Sequence, residues 1–172
     1  MSIPNILTLI RFLLIPVFYI TFFSGRDNAL VLSIIVFFTA GITDVLDGYI
    51  ARKYNMITKW GIVLDPLADK LMSIMVLYCL SRVNIIPTWV LIVFSIKEGF
   101  MIAGGVKLIR SHVVIPAKYY GKYATLLFYI SIGIIIFNEI AGTYLIYASI
   151  LMAVFAFIKY LSSFINILRE QK

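Results

Sequence analysis

Four of the chain's eight acidic residues fall between positions 44 and 69, inside sequence that is otherwise largely apolar. The stretch reads Asp44-x2-Asp47-Gly48-x2-Ala51-Arg52-x8-Gly61-x3-Asp65-x3-Asp69. Asp44 and Asp47 are spaced i, i+3, and Asp65 and Asp69 i, i+4, so each pair shares one face of a helix. Two ionised carboxylates about 5 Å apart repel by roughly 3 kcal/mol at an effective dielectric of about 20. Four of them gathered at the edge of a bilayer therefore need cations. The chain has no Cys/His cluster for zinc, and carboxylate oxygens suit Mg²⁺ or Mn²⁺.

The rest of the composition says what solvent surrounds these acids. The 172 residues are 62% hydrophobic and 13% charged, with a mean hydropathy of +1.02. Soluble globular chains carry about a quarter charged residues, so a bilayer is the expected surroundings. The length suggests one domain, residues 1–172. The net charge of +7 fits the gathering of Lys and Arg on the cytoplasmic side of a membrane protein. No motif that reads nucleic acid accompanies it. Cys79 is the lone cysteine and lies in an apolar run, where it reads as a small buried hydrophobe. His112 has no second histidine and reads as a polar loop residue.

The hydrophobic pattern predicts an all-α integral membrane protein with six spans of about 20 residues. The first runs from Ile3 to Phe23; Arg11 interrupts it and no small-x-small cleavage site follows, so a retained span is expected rather than a signal peptide. Gly25 to Asn28 forms an outer turn, and the second span runs from Ala29 to Arg52. Asp44 then lies only about 12 Å along the axis from Arg52, near one membrane face. Lys53 to Lys59 connects to a third span from Trp60 to Leu80, in which Pro66 denies the helix one N–H and should loosen it between Asp65 and Asp69. Spans two and three are thus expected as antiparallel neighbours with both acidic pairs at one end. Arg82 to Ile86 turns the chain again; Pro87 opens a fourth span to Leu108. A basic connection, Ile109 to Tyr120, leads to a fifth span from Gly121 to Phe137, and Asn138 to Gly142 turns into a sixth that ends near Leu168. Eleven basic residues, from Arg11 and Arg52 through Lys122 to Lys172, fall on one side of this threading and only Arg26 and Arg82 on the other. Both termini and the aspartates accordingly face the cytoplasm.

Taken from the residues alone, acids gathered at one depth fit a metal site better than a proton relay, which would spread them across the membrane. Gly48, Ala51 and Gly61 either permit close helix packing or let a bulky phosphorylated ligand approach the backbone. Arg52 offers a planar cation that suits phosphate. Two divalent cations with a diphosphate satisfy all of these features, and phosphoryl transfer asks mainly for such positioning and charge stabilisation. Asp69, last in the series, is the candidate general base. Lys97 and Glu98, deep in the fourth span, are either a structural ion pair with another helix or part of an acceptor pocket. Lys107, Arg110, Lys118 and Lys122 form the densest basic patch, suited to topology or to an anionic acceptor and lipid headgroups. Gly121-Lys122-x2-Thr125 stands where a helix begins, a place to hold a phosphate.

The eight positions of the acidic stretch resemble the signature of the CDP-alcohol phosphotransferase family, and all eight match. The resemblance implies that Asp44, Asp47 and Asp65 bind metal, that Asp69 is the base and also contacts metal, and that two ions are held. It implies that Gly48 and Arg52 touch the CDP moiety, with Ala51 and Gly61 beside them, and that Thr58 and the Asn5-x2-Thr8 segment make further nucleotide contacts. The implied fold is a six-helix bundle with a polar cavity open to the cytoplasmic side, commonly dimeric, in the cell membrane. The implied reaction is displacement of CMP from a CDP-linked donor by an alcohol. Within the family, the opening Ile3-Pro4-Asn5-x2-Thr8-x2-Arg11 and the run Leu64-Asp65-Pro66-Leu67-Ala68-Asp69-Lys70 are most similar to the branch that joins CDP-diacylglycerol to glycerol 3-phosphate. That branch usually carries Arg-Glu where this chain has Lys97-Glu98, and an arginine where it has Gly105. The branch whose acceptor is phosphatidylglycerol tends to carry Arg-Asp there, so Glu98 favours glycerol 3-phosphate. A metal or ion transporter would continue its polar residues to the outer face, whereas spans two and three beyond Asp44 and Asp69 are almost wholly apolar.

Overall fold

The computed structural model describes residues 3–54, 61–110 and 119–170, without the side chains of residues 3–5, 52, 62–63, 105–110 and 163–170. Among the described residues there are six helices and no strand: α1 Ile3–Phe22, α2 Ala29–Lys53, α3 Gly61–Arg82, α4 Thr88–Arg110, α5 Tyr119–Ile135 and α6 Glu139–Glu170. They fall in two compact units, Met1–Thr88 and Trp89–Lys172. Among the described residues two helical segments, Ala29–Ala51 and Glu139–Ser162, are long and apolar enough to cross a membrane. Such runs favour helices because a helix satisfies its own backbone polar groups where water is scarce.

Helix ends follow local chemistry. At the end of α3, Asn84 adopts φ +61°, the Ile85 N–H donates to the Leu80 carbonyl at 3.0 Å, and the Asn84 N–H to that of Ser81 at 3.2 Å. This paired closure uses one left-handed residue, and asparagine tolerates that conformation. The sixth helix begins earlier than the pattern suggested. Asn138 accepts the Ala141 N–H on its side-chain oxygen at 2.9 Å, capping a helix that starts at Glu139 and runs through Gly142. Glu139, in the first turn, also complements the helix dipole. Gly142 is required by space: a Cβ there would sit 2.9 Å from the Ile135 nitrogen and 3.0 Å from its Cα. Gly142→Ala should therefore destabilise the α5–α6 corner by about 1–3 kcal/mol of overpacking, more than the helix propensity it gains, read as a lower thermal midpoint in detergent.

In the first unit α1 packs along both α2 and α3, while α2 and α3 touch over a much shorter stretch. The direct α2–α3 pairing expected from sequence is thus mediated mainly by α1. Phe18, Phe37, Met72 and Leu77 are buried in this unit. On α2 the opposite face is exposed and apolar, through Ile35, Phe38, Ile42, Val45 and Tyr49; that spacing is a continuous helical stripe. Several hydroxyls on these helices return to their own backbone, as Thr39 does to the Ile35 carbonyl and Ser73 to that of Asp69, which satisfies them locally. Helix α3 continues through Pro66, and the loosening expected there amounts to one missing backbone donor. In the second unit α5 packs along α6, with α4 joined by stacked rings: Phe94 on Phe128 at 5.9 Å and Trp89 on Tyr147 at 6.2 Å.

Candidate active site

The acidic residues sit on the two helices that α1 holds together. Asp44 and Asp47 project from the late turns of α2, and Asp65 and Asp69 from the early turns of α3. Asp47 is buried, whereas the Asp44 side chain is 41% exposed. All four interact electrostatically: Asp44 feels Asp47, Asp65 and Asp69 as well as Arg11. The acidic ends of α2 and α3 therefore share one field of charge, and α1 supplies what joins them.

Two residues of α1, one turn apart, make the junction. Arg11 is almost wholly buried. Its Nη1 lies 2.9 Å from Asp44 Oδ1, and its Nη2 donates to Asp47 Oδ2. Nη1 also donates to the Asp65 main-chain carbonyl at 3.3 Å. Thr8 Oγ1 donates to Asp65 Oδ1. One planar cation thus ties α2 to α3, as the fork geometry of guanidinium allows. Asp69 meets Lys70 Nζ at 3.2 Å. Among the described side chains, four carboxylates against Arg11 and Lys70 leave a formal excess of two negative charges.

Other residues singled out in the sequence are distributed as follows. Gly48 and Ala51 follow Asp47 on α2 at intermediate exposure, and Gly61 opens α3 and is buried. Asn5 lies on α1, Arg52 on α2, and Lys107 and Arg110 on the last turns of α4, all four among the residues described by backbone alone; Thr58 and Lys118 lie outside the described residues. In the second unit Lys97 pairs with Glu98 at 2.6 Å and lies 5.2 Å from the centre of the Phe94 ring. The sequence suggested an ion pair to another helix or an acceptor pocket; the contact described is between the two neighbours along α4. Lys122 is exposed in the first turns of α5, and Thr125 Oγ1 donates to the Gly121 carbonyl at 3.2 Å.

Arg11 is the residue whose role sequence reasoning missed: it counted as a break in the first apolar stretch, a charge favouring one side of the membrane and part of the opening motif, never as a partner of the aspartates. The signal was present: an arginine in an apolar helix requires an anionic partner, and four unmatched aspartates stood downstream.

The donor chemistry fits a divalent cation, with hard oxygens and surplus negative charge. Among the described residues, however, no three carboxylates are gathered closely enough to form a ready metal centre. Arg11 stands between them instead.

The match to known sequences defines the class to which this acidic junction belongs. Residues 1–158 match the CDP-alcohol phosphatidyltransferase family, and the chain belongs to that family. It is 34% identical to a Mycobacterium tuberculosis protein named a probable phosphatidylglycerophosphate synthase, over 94% of this chain and 80% of the relative. It is 31% identical to the CDP-diacylglycerol–glycerol-3-phosphate 3-phosphatidyltransferase of Haemophilus influenzae, over 93% and 91% of the two chains. The Bacillus subtilis protein of the same name is 35% identical over 72% and 70%.

Proposed function

We propose that this protein transfers the phosphatidyl group of CDP-diacylglycerol to glycerol 3-phosphate, giving phosphatidylglycerophosphate and CMP. The observation that carries this reading is similarity along nearly the whole chain to proteins named for that transfer. The acidic junction supplies the chemistry. A hydroxyl of glycerol 3-phosphate attacks the phosphorus that bears diacylglycerol, and the bond from that phosphorus to the CMP oxygen breaks. Asp69 takes the hydroxyl proton, and CMP departs with the bonding electrons. Asp44, Asp47, Asp65 and Asp69 hold Mg²⁺ or Mn²⁺, with two ions in the reading we favour. When bound, such ions withdraw charge from the phosphoryl oxygens and steady the leaving phosphate. In this reading the nucleotide is bound by Arg52 and Gly48, with contributions from Asn5, Thr8, Ala51, Thr58 and Gly61.

The same reading places six spans in the cell membrane, both termini and the aspartates towards the cytoplasm, and two copies in the assembly. Its support is the row of six helices, the apolar stripe on α2 and the one-sided Lys and Arg distribution. The anionic donor and acceptor also suit a chain of net charge +7.

Purified protein given CDP-diacylglycerol and Mg²⁺ is expected to release CMP with glycerol 3-phosphate and to form phosphatidylglycerophosphate. Product from phosphatidylglycerol alone would overturn the acceptor, and no CMP with either would overturn the transfer. Chelation with EDTA should reduce the rate to background and added Mg²⁺ or Mn²⁺ should restore it. A rate indifferent to EDTA would remove the metal from the reading.

A further inference from the structure

The cation that joins the acidic helices is itself unusual in its bonding. Arg11 is about 1% exposed, yet its Nε meets no hydrogen-bond acceptor among the described residues. Its Nη atoms meanwhile engage one oxygen each of Asp44 and Asp47. Those are oxygens a divalent cation would also seek, because hard ions take carboxylates ahead of other ligands. A guanidinium and a divalent ion repel at such range, and burial strengthens that repulsion. A side chain with a donor unmet has less to lose by moving than one fully satisfied.

Resting on the reading of this site as one for divalent cations, we propose that Arg11 competes with the ion for the carboxylates of Asp44 and Asp47. Arg11 is then a positioning residue with two effects. It holds α2 and α3 together through their acids, and it sets how tightly those acids take an ion.

The competition is tested by titrating Mn²⁺ into purified protein in detergent micelles, without lipid substrate, and following free Mn²⁺ by electron paramagnetic resonance. Arg11→Gln removes the competing charge and is expected to bind Mn²⁺ at least 10-fold more tightly than the unaltered protein. Arg11→Lys keeps the charge but not the fork, and its affinity should fall between the two. This second variant keeps the test open if the first does not fold. A merely structural role for Arg11 predicts the reverse, since loosened helices hold an ion less well. If the unaltered protein binds Mn²⁺ and both variants bind it equally or more weakly, competition is overturned while the divalent-cation reading stands. If the unaltered protein binds no Mn²⁺, that reading falls and the competition with it.

Discussion

Asp69→Asn is expected to lower the rate of CMP release by about 10²–10⁴-fold, the range that general base catalysis contributes. The amide keeps the shape of the carboxylate but cannot take the hydroxyl proton. Stability should change little, because the substitution removes a partly exposed ion pair with Lys70 at 3.2 Å, and such pairs contribute about 0–1 kcal/mol. Activity and thermal midpoint measured on the same detergent preparation separate the two effects. A variant that turns over at close to the normal rate would remove Asp69 as the base. Loss of folding together with activity would instead give the residue a structural role.

The second large effect concerns the buried pair of Arg11 and Asp47. Both side chains are nearly inaccessible, so removing one partner leaves the other charged and poorly solvated. Breaking a buried pair in this way costs about 3–5 kcal/mol. Arg11→Leu and Asp47→Leu should each show a destabilisation of that order, moderated for the second because Asp44 still meets Arg11. The double variant removes both charges and should be less destabilised than the two single effects added together, by about 2 kcal/mol or more. Denaturation curves for the four proteins measure the cycle. Strict additivity would show that the two side chains do not act as one unit. All three variants are expected to be inactive.

The helices were legible because long apolar runs broken by short polar turns leave the backbone one way to satisfy itself. The end of α2 falls within a residue of the place the hydrophobic pattern predicts. The beginning of α6 was not legible in the same way: Asn138 reads as part of a turn, although its side chain caps the helix. The aspartates were legible from spacing alone, since i, i+3 and i, i+4 fix a shared face whatever the helix packs against. What joins them was not. Periodicity says which face a residue occupies and nothing of which helix lies opposite, and Arg11 precedes Asp44 by more than the length of a helix. Lys97 and Glu98 teach the same limit from the other side. Neighbours in sequence normally point apart on a helix, yet the long lysine stem folds back to the glutamate next to it.

The tie made by α1 also orders events in time. Translation runs from the amino end, so the arginine is in place before the first aspartate leaves the ribosome. Asp44 and Asp47 are therefore made after the cation that pairs with them. A shortened chain that began beyond that arginine would leave the carboxylates of Asp44 and Asp47 without the cation that joins them.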